Sequence, residues 1–218
     1  MTEAELYQNI NEWKAFCRRH HANVFNAIFK DVDYGMDDDM LNTALADAAA
    51  FFGLDVPEVH NWSDTLAKME KKNDFEEDSE LYYNLMLLFN NGINNQDALS
   101  LCMAHEMAHL YFKDVRFNLC NNELWCQELA ADFMVGYYSA RRCLATAKYK
   151  FLVSMTTMTC THPQGNHRLA AVEFARKYSG ENPGNNLSSI QCGIPLFILE
   201  RQKELNDEWE HVLNRMFD

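Results

Sequence analysis

Apolar residues recur three and four positions apart along most of the chain, which predicts a predominantly helical protein. This spacing predicts one or two helices over 3–30 and further helices over 39–52, 96–112, 122–146, from about 161 to 178, and over 196–218. Gly53 is expected to end the second of these segments, and Asn95 to cap the start of the third. In the last segment, apolar residues are predicted to share one side: Leu199, Leu205, Trp209, Val212, Leu213 and Met216.

Two shorter segments have the composition of β-strands. Residues 54–62 can hold a short strand, and the apolar run "LYYNLMLLFN" (81–90) predicts a buried strand between polar turns. The segment "SGENPGNNLSS" (179–189) has the composition of a linker. These elements predict an α+β fold, predominantly helical, with a small mixed sheet.

Composition and charge restrict the class of protein. The net charge of −13 argues against non-specific binding to nucleic acid or to an anionic membrane. No apolar run approaches the length of a transmembrane helix, and the N-terminal segment lacks the basic start of a signal peptide. Seven irregularly spaced cysteines argue against a disulfide framework and favour a reducing compartment. We therefore expect a cytoplasmic protein.

The stretch "CMAHEMAHLYF" (102–112) contains the pattern His-Glu-x-x-His in a segment predicted to be a buried helix. His105 and His109 lie four positions apart, so both imidazoles project from one face and can reach one metal ion. Glu106 is turned aside from that pair and is placed to act as a base on a water molecule at the metal. The alternative is two hydrogen-bonded core histidines beside an exposed glutamate.

A third ligand is expected downstream. A metzincin would have a third histidine where Val115 stands, so that class is excluded. The stretch "NELWCQELAADF" (122–133) offers Glu128 and Asp132, which share one helix face among small and apolar residues. Glu128 can complete a His-His-Glu site, and Asp132 can accept the free N–H of a ligand histidine. The alternative is an ordinary pair of solvent-facing carboxylates.

The stretch "THPQGNHR" (161–168) opens the predicted helix that runs to about residue 178. His162 lies at its open end, where an imidazole can donate to a developing oxyanion, and His167 competes for this role. Arg168 can anchor a carboxylate such as Asp132. The alternative is a helix cap with surface residues.

These motifs resemble those of zinc metallopeptidases. "AHEMAH" followed by "ELAAD" resembles the gluzincins, which carry His-Glu-x-x-His and a downstream Glu-x-x-x-Asp. "THPQGNHR" resembles the Thr-His-Pro-x-x-x-x-Arg element of the family that contains the CAAX prenyl proteases and the heat-shock protease HtpX. The compact core is also similar to soluble ImmA/IrrE-type peptidases. The resemblance implies a zincin-like core with a central His-Glu-x-x-His helix and a second ligand helix.

The resemblance also implies roles for particular residues. Carried over by position, it implies one catalytic zinc ion on His105, His109 and Glu128. It makes Glu106 the general base and His162 the donor to the transition state.

Two positions would support the ligands, since Asp132 would orient a ligand histidine and Arg168 would serve as a structural anchor. In zincins the substrate commonly lies extended along an edge strand, for which residues 82–90 are the candidate here. The predicted function is zinc-dependent endopeptidase activity on a cytosolic protein. The alternative is a catalytically silent zinc-binding regulatory or interaction module with a zincin fold.

Three segments are predicted, together forming one compact unit: a helical segment (1–53), the catalytic core (54–180), and a linker with the C-terminal helix (181–218). The C-terminal helix can pack on the core or mediate self-association. "QCGIP" (191–195) resembles a cysteine switch, in which Cys192 would bind the zinc, but so short a pattern favours a coincidence.

Overall fold

The computed structural model describes residues 37–60, 66–71, 79–183 and 186–217. The predicted helical segment over 3–30 lies outside these residues. In the described residues the helices are α1 (Asp38–Phe52), α2 (Leu85–Asn90), α3 (Gln96–Tyr111), α4 (Glu123–Arg142), α5 (Ala147–Ser154), α6 (Gly165–Glu181), α7 (Leu187–Ile190) and α8 (Gly193–Phe217). The strands are β1 (Glu58–His60), β2 (Ala67–Lys71) and β3 (Ser79–Tyr83).

The three strands form one mixed sheet with the order β1-β3-β2. β1 runs parallel to β3, with Val59 opposite Leu81, and β2 runs antiparallel to β3, with Met69 opposite Leu81. Leu81 in the central strand is fully buried. The predicted α+β class, mostly helical with a small mixed sheet, is therefore confirmed.

The predicted strand over 81–90 is wrong beyond Tyr83. β3 ends there, and α2 begins at Leu85. The Asn84 side-chain oxygen accepts a hydrogen bond from the Leu87 backbone N–H at 3.1 Å, which caps the first turn of α2. A continuous apolar run does not by itself distinguish a strand from a short helix, and Asn84 supplies a helix cap inside this run.

Two predicted helix boundaries are confirmed. α1 ends at Gly53, whose φ of 67° lies in the left-handed region that favours glycine. α3 begins after Asn95, whose side-chain oxygen accepts from the Ala98 backbone N–H at 2.9 Å. The helix predicted over 122–146 begins as expected, as α4, but ends at Arg142.

The C-terminal half departs from prediction in several places. α5 was not predicted, and α6 begins at Gly165 rather than at the Thr-His-Pro stretch. Helical residues of α6 and α7 occupy both ends of the predicted linker over 179–189. The C-terminal helix is confirmed and packs against α4 and α6, but Leu199 and Met216 on its predicted apolar side are exposed.

α3 lies at the centre of the fold, as its composition predicts. Every residue from Ala98 to Ala108 is buried, with α1 and α4 packed against it. α4 in turn packs closely against α6. Gly136 permits this approach, because a Cβ atom there would fall against the Val172 carbonyl oxygen.

Two further features bear on the expectations from composition. In the described part of the chain, no helix combines the length and apolar character needed to cross a membrane. Cys120 and Cys126 form a disulfide across the start of α4, with their Cα atoms 6.8 Å apart. The sequence argues against a disulfide framework, and this bond joins two of the seven cysteines.

Candidate metal centre

The structure brings the three predicted metal ligands together. His105 and His109 lie one turn apart on α3, with their Nε2 atoms separated by 3.1 Å. On α4, Glu128 places Oε2 3.4 Å from His105 Nε2 and Oε1 3.3 Å from His109 Nε2. One ligand atom from each residue lies within 4.8 Å of the others. A single ion can therefore contact all three side chains.

A buried oxygen shows that this group fits a cation. Glu128 Oε2 is buried and makes no hydrogen bond to any described residue. It faces His105 Nε2 at 3.4 Å, Arg168 Nη2 at 3.4 Å and His162 Nε2 at 3.6 Å. These contacts are longer than ordinary hydrogen bonds, so part of the cost of burying this carboxylate oxygen remains, and a bound cation would remove it. Two imidazoles and one carboxylate form a ligand set typical of a divalent metal such as zinc.

Asp132 lies one turn beyond Glu128 and is fully buried. Its Oδ1 is 3.1 Å from His105 Nδ1. Arg168 on α6 donates to the same carboxylate twice, from Nε to Oδ2 at 2.6 Å and from Nη2 to Oδ1 at 3.1 Å. These are the contacts predicted for Asp132 and Arg168. Together with Glu128, Asp132 brackets the His105 imidazole, with one carboxylate at each ring nitrogen.

Opposite charges shift the protonation of these groups. Burial raises the pKa of Asp132, but the charges of Arg168 and His105 outweigh burial and lower it. Burial lowers the pKa of His105, but Asp132 and Glu128 outweigh burial and raise it to about 10. The pKa of Glu128 lies well below its usual value, because His109 and His105 outweigh the effect of burial. Both carboxylates are therefore ionised at neutral pH.

Glu106, the predicted base, is buried and lines the same cavity as the ligands. The cavity has a volume of about 700 Å³. Its apolar lining includes Leu66, Met69, Leu88, Leu124, Leu152 and Val153. A carboxylate and a set of metal ligands thus face one largely apolar space that can admit a ligand.

His162 also lines this cavity, from the loop that precedes α6. Its Nδ1 lies 2.8 Å from the Thr161 hydroxyl, and its side chain is 42% exposed. Burial lowers the pKa of His162, and the positive charges of Arg168 and His105 lower it further, while Glu128 opposes them. The imidazole is therefore neutral at neutral pH, which leaves one ring N–H to donate.

His167, the other candidate for the donor role, does not line this cavity. Its side chain is fully buried, and its Nε2 lies 3.1 Å from Glu208 Oε2 on α8. Among the described residues that line the cavity, His162 is present and His167 is absent. The geometry therefore favours His162 over His167 for any role at the metal centre.

Tyr149 on α5 also belongs to the site, although the sequence did not predict it. Its hydroxyl lies 2.8 Å from Asp132 Oδ1 and 3.1 Å from His105 Nδ1. Burial and the charge of Asp132 raise the pKa of Tyr149 well above its usual value. No local motif marks this tyrosine, because its partners lie on two other helices.

The predicted substrate strand over 82–90 is wrong. β3 is the central strand of the sheet, with β1 on one side and β2 on the other, so its edges are already paired. From Leu85 onward the chain is helical. β2, not β3, contributes several residues to the cavity lining, including Lys68.

Cys192 is exposed at the start of α8 and is not among the described residues that line the cavity. This position agrees with the interpretation of "QCGIP" as a coincidence.

No protein-family model, no curated protein and no solved structure matches this chain. The resemblance to the gluzincins therefore depends on the motifs and on the geometry of the residues that carry them.

Proposed function

We propose that this protein is a zinc-dependent endopeptidase of the gluzincin type, built on a zincin-like core. The observation that carries the proposal is the grouping of His105, His109 and Glu128, in which the buried Oε2 of Glu128 has ion-pair contacts but no hydrogen bond to a described residue. Glu106 in the same cavity adds a base that a purely structural metal site has no use for.

His105, His109 and Glu128 would hold the zinc ion, which, when bound, polarises a carbonyl group and makes a nearby water more acidic. Glu106 accepts a proton from the water as the water oxygen attacks the peptide carbonyl carbon. The same carboxylic acid then gives the proton to the amide nitrogen as the C–N bond breaks. His162 donates its ring N–H to the carbonyl oxygen while negative charge develops there.

The substrate we propose is an extended segment of a protein with apolar side chains. The supporting observation is the lining of the cavity, where leucine, valine and methionine side chains from β2, α2, α4 and α5 surround the charged groups. Burial of an apolar side chain in such a space stabilises a complex in proportion to the area removed from water.

The test combines a metal measurement with a cleavage assay. Purified wild-type protein should contain one equivalent of zinc, and Glu106→Gln should retain it, because Glu106 is not one of the three ligands. In a proteome-derived peptide library, wild type should generate new termini that Glu106→Gln does not. A wild-type protein without zinc would refute the proposal.

The same assay separates the second candidate function. Stoichiometric zinc without any cleavage that depends on Glu106 would identify a catalytically silent zinc-binding module. A variant that lacks a ligand, Glu128→Ala, should lose zinc under either function and serves as the control for the metal measurement.

A further inference from the structure

Tyr149 contacts both the buried carboxylate Asp132 and the candidate metal ligand His105. Its hydroxyl oxygen is 2.8 Å from Asp132 Oδ1 and 3.1 Å from His105 Nδ1. The side chain is buried in the first turn of α5, so bulk water does not compete for these hydrogen bonds.

The two hydrogen bonds have defined directions. An ionised carboxylate only accepts, so the Tyr149 hydroxyl donates its proton to Asp132 Oδ1. A lone pair of the hydroxyl oxygen is then free to accept the Nδ1–H of His105. Asp132 Oδ1 lies 3.1 Å from the same nitrogen and is a second acceptor for that proton. When a bound metal displaces the Nε2 proton, an imidazole that keeps its proton on Nδ1 has its lone pair on Nε2, which faces Glu128 and His109.

Arg168 and Tyr149 hold the Asp132 carboxylate from different elements. Arg168 on α6 contacts both of its oxygens, whereas Tyr149 on α5 contacts only Oδ1, the oxygen that faces His105. We propose that Tyr149 is a positioning residue that orients the His105 imidazole for metal binding, both directly and through Asp132. This inference rests on the proposed zinc site but not on peptidase activity.

Tyr149→Phe tests this role, because it removes the hydroxyl and keeps the ring. Tyr138→Phe is the matched control, since Tyr138 is also buried and donates to a carboxylate, Asp47 Oδ2, at 2.6 Å. Both variants lose one tyrosine–carboxylate hydrogen bond, but only Tyr149 contacts a metal ligand. For each protein, the zinc Kd is measured by competition with a chromophoric chelator. The shift of the His105 Nδ1 proton in the zinc-loaded protein is measured by NMR.

We expect the zinc Kd to rise about tenfold in Tyr149→Phe, at the lower end of the range for such supporting residues because Asp132 still accepts from His105. The His105 Nδ1 proton should move upfield in the same variant, since it loses one acceptor. Neither quantity should change in Tyr138→Phe. An unchanged Kd in Tyr149→Phe, or an equal rise in both variants, would overturn the role of Tyr149.

The experiments distinguish failure of the Tyr149 role from failure of the proposed peptidase function. Wild-type protein that binds zinc, cleaves nothing and loses affinity in Tyr149→Phe would refute the peptidase and uphold the positioning role. Wild-type protein that binds no zinc would overturn both.

Discussion

Replacing Arg168 with Met should strongly destabilise the metal-free protein. Asp132 is fully buried and receives two hydrogen bonds from the guanidinium, at 2.6 and 3.1 Å. Removing one partner of such a pair leaves an uncompensated buried charge, which typically costs about 3–5 kcal/mol. Tyr149 and His105 still contact the carboxylate, so we expect a loss near the lower end, about 3 kcal/mol.

The loss is measured by urea unfolding without metal, so that zinc binding does not add to the free energy of unfolding. Lys150→Met is the control, because Lys150 Nζ lies 2.7 Å from Glu173 with side chains 33% and 54% exposed. An ion pair so exposed contributes at most about 1 kcal/mol. Asp132→Asn removes the buried charge. In that background, Arg168→Met should therefore lower the free energy of unfolding clearly less than it does in wild type.

Two results would refute this reasoning. One is a loss in Arg168→Met no larger than that in Lys150→Met. The other is an Arg168→Met loss that is the same with Asp132 and with Asn at position 132, because the cost would then not come from a stranded charge.

Three further predictions concern packing, reactivity and the cavity. Gly136→Ala should destabilise the protein by about 1–3 kcal/mol in urea unfolding, because its Cβ would lie 2.8 Å from the Cβ of an alanine on α6. Gly180→Ala, with open space around it, should leave the free energy of unfolding unchanged or raise it. A larger loss of stability in Gly180→Ala than in Gly136→Ala would contradict the packing argument. Burial and the charge of a nearby glutamate raise the pKa of Cys102, so iodoacetamide followed by mass spectrometry should leave it unmodified until the protein unfolds. Under the same conditions we expect alkylation at the exposed cysteines Cys143, Cys160 and Cys192. Leu152→Asp should reduce cleavage of apolar peptides, whereas Phe151→Asp, on the exposed side of the same helix, should not, and equal effects would contradict the proposed substrate class.

The ligand set was the part of the site most accessible from sequence. His105, Glu106 and His109 lie within one helical turn and a half, and helix geometry alone fixes which of them share a face. Glu128 and Asp132 are also four apart, so their common direction follows from the same rule. Local spacing therefore predicted which residues share a helix face, and the resemblance to the gluzincins implied that the two faces meet at one metal ion.

Tyr149 could not be found in this way. Its contacts to Asp132 and His105 join residues 17 and 44 positions apart, and no periodic pattern specifies such a pairing. The helix that carries it is only eight residues long and has no side-chain N-cap hydrogen bond, so its start signal is weak.

The error at residues 81–90 has a different origin. The run is apolar almost throughout, so hydrophobicity alone does not choose between strand and helix, and in the observed α2 Leu88 is buried while Phe89 is exposed. Asn84 makes the choice through its cap, and an asparagine inside an apolar run was the available signal.

The buried charges also determine how two helices interlock. Because α3 is enclosed from Ala98 to Ala108, the hydrophobic effect favours many rotations of this helix about its axis almost equally. A buried polar group accepts only the orientation in which it meets its partner. His105 meets Asp132 and Glu128 at 3.1 and 3.4 Å, and a one-turn slide of α4 along α3 would leave those charges unpaired. The side chains proposed for chemistry therefore also distinguish this register of α3 and α4 from one displaced by a turn.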